Sequence, residues 1–192
     1  MTNYRKLYSS CKNDTPLTGV ELRAVKDALN LPIEDWDYHA ILLNGLAFDK
    51  DEGVESIIKA AIPALREAEE DDLIKACLTA ICIYWNDAKY LENELEDITL
   101  RWDFDLFPDS FIVASSAYAR LAYKERSRLM VDTLKIRAVE LMAQMDERRD
   151  IVILVETITK ACITAVMGPA YWTSAEIRKY MNPDSISTLE FR

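Results

Sequence analysis

Glycine is nearly missing from this chain, with four residues in 192. None of the four lies close to another, which excludes a glycine-rich loop able to cradle phosphates. Histidine is scarcer still: His39 stands alone. A cysteine or serine nucleophile would therefore have to take its base from that one residue. Gly-x-Ser-x-Gly, the strained elbow of serine hydrolases, does not occur. The four cysteines, Cys11, Cys77, Cys82 and Cys162, lack the paired spacing of zinc sites. No apolar run reaches about eighteen residues, which excludes an ordinary membrane-spanning helix. The opening stretch "MTNYRKLYSSCKND" has no apolar segment of the kind that directs secretion, so a cytoplasmic location is expected. Reduced cysteines serving as small hydrophobes fit that compartment.

Apolar residues make up 50% of the chain and charged residues 29%, a globular balance. Ala, Leu, Ile and Glu dominate and recur with a period near 3.6, which predicts an all-α fold. The length suits one domain over residues 1–192. Within it we expect an N-terminal segment over 1–16, helical repeats over 18–181 and a loosely held tail over 182–192.

The first helix is predicted from Thr18 to Leu29, with Leu22, Val25 and Leu29 on one stripe. Thr18 and Glu21 have the spacing of a capping box. A second helix is expected from Asp35 to Ala47. The best pattern follows: Val54, Ile57, Ile58, Ala61, Ile62 and Leu65 form one apolar face. Pro63 within it predicts a kink. Ile74, Cys77, Leu78, Ile81, Cys82 and Trp85 repeat the spacing on the partner helix. Tyr90, Leu91, Leu95 and Ile98 open the next one. Further helices are predicted over 110–123, 129–145 and 151–167, the last stopped by Gly168-Pro169, and a short one from Ser174 to Met181.

Four helical pairs result, near 18–47, 54–86, 88–123 and 127–167. Their period of roughly 37 to 40 residues is close to that of HEAT-type repeats. The segment "VESIIKAAIPALREAEEDDLIKACLTAICIYW" resembles a HEAT repeat, with a proline before the last turn of its first helix and an acidic corner. That resemblance implies a HEAT-like α-solenoid of about four hairpins plus a short C-terminal helix; a compact orthogonal helical bundle is the alternative. The stretch "IYWNDAKYLENEL" is similar to small bacterial HEAT-like immunity proteins of polymorphic toxin systems. Such a family implies an intracellular, non-enzymatic protein that binds and blocks one cognate toxin domain.

Other chemistry is weaker. Cys77 and Cys82 are five apart on an apolar stripe, which suits packing better than metal binding. "DKDEG" at Asp49 places glycine and the closing acid wrongly for a calcium loop. Glu92, Glu96 and Asp97 lack the Glu-x-x-His partner motif of di-iron bundles. Neither a metal nor a cofactor is expected. A small helical enzyme would require a polar cleft around His39, Ser115 and Ser116.

The distribution of charge is more informative. The net charge is −10, yet from Asp35 to Asp105 we count eighteen acidic and six basic residues, a balance of −12. The remainder has fifteen acidic and seventeen basic residues. Such a middle stretch repels phosphate backbones and attracts a basic protein. Two predicted corners concentrate it. We take Glu67, Glu69, Glu70, Asp71 and Asp72 from one, and Trp102, Asp103, Phe104 and Asp105 from the other, as candidate partner-binding residues. Carboxylates would supply the steering, and aromatics the anchors. The expected function is occlusion of a basic toxin domain such as a nuclease. The alternatives are a HEAT-like adaptor or a phage inhibitor that mimics nucleic-acid charge.

Overall fold

In the computed structural model, residues 17–29, 42–43, 45–46 and 53–191 are described. They form an all-α protein, and none of them lies in a strand. The chain divides into two compact units, Met1–Asp87 and Ala88–Arg192.

The first unit opens on α1, Gly19–Leu29. Its cap is the one that the spacing predicts. The Glu21 carboxylate accepts from the Thr18 N–H at 2.9 Å, and the Glu21 N–H donates to Thr18 Oγ1 at 3.4 Å. Leu22 and Val25 are buried on its inner stripe. Of the helix expected over 35–47, the described residues are helical, and Leu42, Leu43 and Leu46 are buried. His39, Cys11 and most of the "DKDEG" stretch lie outside the described residues.

Next come α2, Val54–Glu67, and α3, Asp71–Thr79, packed against each other. Helix α2 runs through Pro63 to Glu67 as one element, with the proline ring on the exposed side. Val54, Ile58, Ile62 and Leu65 are buried on the face read from the sequence. Each such side chain stabilises the fold by about 1.5–3 kcal/mol relative to exposure. Beyond Thr79 the chain continues as a π-helical turn, Ala80–Tyr84.

The second unit starts with a 3-10 turn, Ala88–Leu91, leading into α4, Glu92–Arg101. Then follow α5, Pro108–Glu125, α6, Arg128–Met142, a 3-10 turn at Arg149–Ile151, and α7, Val152–Met167. Pro108 occupies the first turn of α5, where its missing N–H costs nothing. Ser127 caps α6, accepting from the Met130 N–H at 3.3 Å. Helix α7 is apolar nearly all round and is the most enclosed element, lying along α5. Alanines at 114, 117, 122, 161 and 165 keep their common surface shallow, so the backbones approach closely. Helix α4 also contacts α6, so two hairpins, α4–α5 and α6–α7, stack with like helix beside like. Two stacked hairpins are common to a repeat junction and to a small bundle.

Gly168 ends α7 with φ of 92°, a conformation that residues with a Cβ rarely adopt. Short helices α8, Ser174–Arg178, and α9, Pro183–Ser187, complete the unit. Thr173 and Glu176 form a second capping box at α8. The tail expected to be loosely held is instead attached: α9 packs on α6, and Ile186 and Leu189 are 0% and 3% exposed. Asn182 and Pro183 are the local reason, as an N-cap and a first-turn proline that start α9.

Candidate functional site

The acidic corner of the first unit is a tight reversal between α2 and α3. The Glu69 N–H donates to the Arg66 carbonyl at 3.1 Å and the Glu70 N–H to the Leu65 carbonyl at 3.0 Å. That pair of bonds is a Schellman turn, which requires a left-handed residue between helix and exit. Glycine ordinarily fills this position; here it is Glu69, with φ of 58°. The Glu70 carbonyl accepts from the Leu73 and Ile74 N–H groups and starts α3. Asp71 and Asp72 then fall in the first turn of α3, where negative charge is favoured by the helix dipole. Glu67, Glu69 and Asp72 are exposed, and Glu70 and Asp71 half-buried. The fold thus brings together the five carboxylates chosen from this corner, on a backbone fixed by main-chain hydrogen bonds.

The corner of the second unit is different. Trp102, Phe104 and Phe107 are 4%, 8% and 4% exposed. Trp102 donates its indole N–H to Asp97 Oδ2 at 2.8 Å and meets Phe107 edge-on, with ring centroids 4.9 Å apart. Arg137 and Arg148 lie over the Phe104 ring at 5.7 and 5.3 Å from its centroid. The expectation that Trp102 and Phe104 serve as partner anchors is therefore corrected: both rings are engaged inside their own unit. The acids there are also occupied. Arg148 grips both oxygens of Asp105, at 2.7 and 2.9 Å, and Asp103 Oδ1 accepts from the Asp105 N–H at 2.9 Å. Leu106, 48% exposed, is the apolar residue that this corner turns outward.

The helix carboxylates weighed as metal ligands have structural partners of their own. Glu92 pairs with Lys89, Glu96 accepts from the Tyr118 hydroxyl at 3.2 Å, and Asp97 takes Arg101 as well as Trp102. Tyr118 is 1% exposed; burial, and then the Glu96 charge, raises its pKa. Among the described residues no group of three or more His, Cys, Asp or Glu side chains is placed to hold a metal ion.

Cys77, Cys82 and Cys162 are buried free thiols. Burial pushes each from an ordinary 9.0 up to about 12. At neutral pH they are protonated and closed to solvent, so they behave as core residues. Ser115 is fully enclosed on α5 and Ser116 half-buried. Among the described residues, no helix is long and apolar enough to cross a membrane.

No protein-family model, curated protein or solved structure matches the chain.

Proposed function

We propose that this chain is a non-enzymatic, HEAT-like protein-binding module that docks a basic protein through the α2–α3 corner. In its most concrete form it is a cytoplasmic immunity protein that occludes a cognate toxin domain, such as a nuclease. The observation that carries the reading is Glu69. It is a charged residue held left-handed where glycine would be relaxed, amid five carboxylates between Glu67 and Asp72. Strain of this kind persists where the rest of the structure enforces it, and it concentrates at functional sites. The carboxylates would pair with the Lys and Arg that a nuclease uses on phosphates, and their field would speed encounter. The same field disfavours direct binding to nucleic acid.

Affinity capture from the native host at low and high salt, followed by binding assays with the purified partner, provides the test. A basic protein whose affinity falls with salt, and falls further on Glu69→Lys, Glu70→Lys and Asp72→Lys, is the expected result. If charge reversal leaves affinity and salt dependence unchanged, the corner is not the docking site.

A further inference from the structure

Helix α6 is apolar on two faces. Met130, Val131, Leu134, Ala138 and Leu141 are buried against its own unit. Leu129, Ile136 and Val139 point the other way, 78%, 61% and 37% exposed, although α4, α5, α7 and α9 all contact the helix. Their spacing of seven and then three residues sets them on one outward stripe. Single exposed aliphatic residues are ordinary on a surface, whereas three in one helical row form a patch that gains by being covered.

The charges at the ends of the stripe indicate what covers it. Arg128 stands at the first position of α6 and Glu140 in its last turn, both exposed. Each has the wrong sign for its own helix, because the dipole favours anions at the N-terminus and cations at the C-terminus. Each has the right sign for a neighbouring helix running the other way, whose C-terminus would lie beside Arg128 and its N-terminus beside Glu140. Arg128 has no hydrogen-bond or ion-pair partner among the described residues. Glu140 pairs with Arg137 at 3.3 Å and is still 54% exposed. The positions are also symmetric: Arg128 and Glu140 lie six residues either side of Leu134, and Leu129 and Val139 five.

We propose that this face is a homodimer interface, in which α6 packs antiparallel on α6 of a second copy about a two-fold axis level with Leu134. With the helices crossed as packed helices ordinarily are, Arg128 of each copy reaches Glu140 of the other and Leu129 covers Val139. Asp132 comes level with Ile136, next to the Lys135 ammonium of the other copy, whose own hydrogen bond is to the uncharged Ser187 carbonyl. A two-fold contact forms every such pair twice. A foreign helix would need a separately matched stripe and charge order, whereas a second copy brings both. One helix pair buries less than the roughly 1,600 Å² of a standard interface, so the dimer is weak, with Kd on the order of 10–100 µM. The interface belongs to the second unit and does not rest on the acidic corner of the first.

Sedimentation velocity of the full chain from about 5 to about 500 µM spans that equilibrium and tests the proposal. The expected result is a monomer–dimer equilibrium that Ile136→Glu abolishes. Arg128→Glu and Glu140→Arg each weaken self-association roughly tenfold, and an equimolar mixture of the two variants restores it, because each charge then meets its opposite. All three side chains are exposed, and thermal melts of the variants keep loss of fold apart from loss of the dimer. A chain still monomeric at about 500 µM overturns the proposal and leaves the stripe to a different protein. So does a dimer indifferent to Ile136→Glu, or a pair of charge variants that mixing does not rescue.

Discussion

Arg148 holds Asp105 with both of its terminal nitrogens, Nη1 to Oδ2 at 2.9 Å and Nη2 to Oδ1 at 2.7 Å. The same guanidinium reaches Asp150 at the start of the next 3-10 turn. One arginine thereby ties the α4–α5 corner to the α6–α7 corner. Both carboxylates and the guanidinium face solvent, so salt screens the pairs. Arg148→Ala lowers the melting temperature at low ionic strength, and the difference shrinks in high salt. Asp105→Asn leaves affinity for a basic partner unchanged, because this carboxylate is already engaged. Paired melts and a binding isotherm check both statements.

Glu69 separates stability from binding. Glycine at this left-handed position relieves strain, and Glu69→Gly stabilises the protein by about 0.5–1 kcal/mol. The same change removes a carboxylate from the corner and weakens partner binding by roughly 3- to 10-fold. Urea unfolding and binding kinetics on one variant read both effects. If binding is undiminished while stability rises, Glu69 has no part in docking.

Gly168 admits no side chain. A Cβ there would lie 2.8 Å from Tyr123 Cζ, and φ of 92° adds backbone strain. Gly168→Ala destabilises the protein by about 2–4 kcal/mol in equilibrium unfolding. Tyr123→Ala in the same background relieves the collision but not the strain, so the two substitutions are non-additive.

Buried thiols set an alkaline limit. In the unfolded chain a thiol ionises near 9.0, whereas Cys77, Cys82 and Cys162 hold their protons to about 12. Across that window the unfolded state binds fewer protons than the native one, so stability falls as pH rises; below pH 9 the contribution is complete. Cys162→Ala shifts stability by a constant at lower pH and reduces the alkaline slope by up to about 1.4 kcal/mol per pH unit. Urea midpoints at about pH 8 and about pH 10 distinguish the two effects.

Helix positions are legible where burial and periodicity agree. Leu91, Leu95 and Ile98, or Ile74, Cys77 and Leu78, are buried as their spacing predicts. Trp85 is half-buried instead of buried, and the cause is the π turn at Ala80–Tyr84. Its wider turn advances the chain by nearly one residue against a 3.6-residue stripe, rotating Trp85 off the inner face. A single extra residue per turn leaves no mark in a hydrophobic pattern.

The second corner is illegible for a related reason. "WDFDLF" alternates aromatic and acidic residues, and alternation specifies two faces without saying which is inside. The inward direction is set by Arg137 and Arg148, 33 and 44 residues beyond Phe104, whose guanidinium groups cover its ring. Nor does the short interval between Met181 and Leu189 carry enough periodicity to announce a docked helix. Its attachment depends on Lys135 and the surface of α6.

Helix α5 ends much as α2 does, on a charged residue in left-handed conformation, Arg126 with φ of 54°. Glycine at Arg126 would also forfeit the stacking of its guanidinium on the Tyr123 and Phe191 rings, so Glu69 is the position that holds stability in reserve. A lineage bearing this chain could accept a damaging change in its core and compensate at that one helix end, at the expense of a carboxylate on the corner.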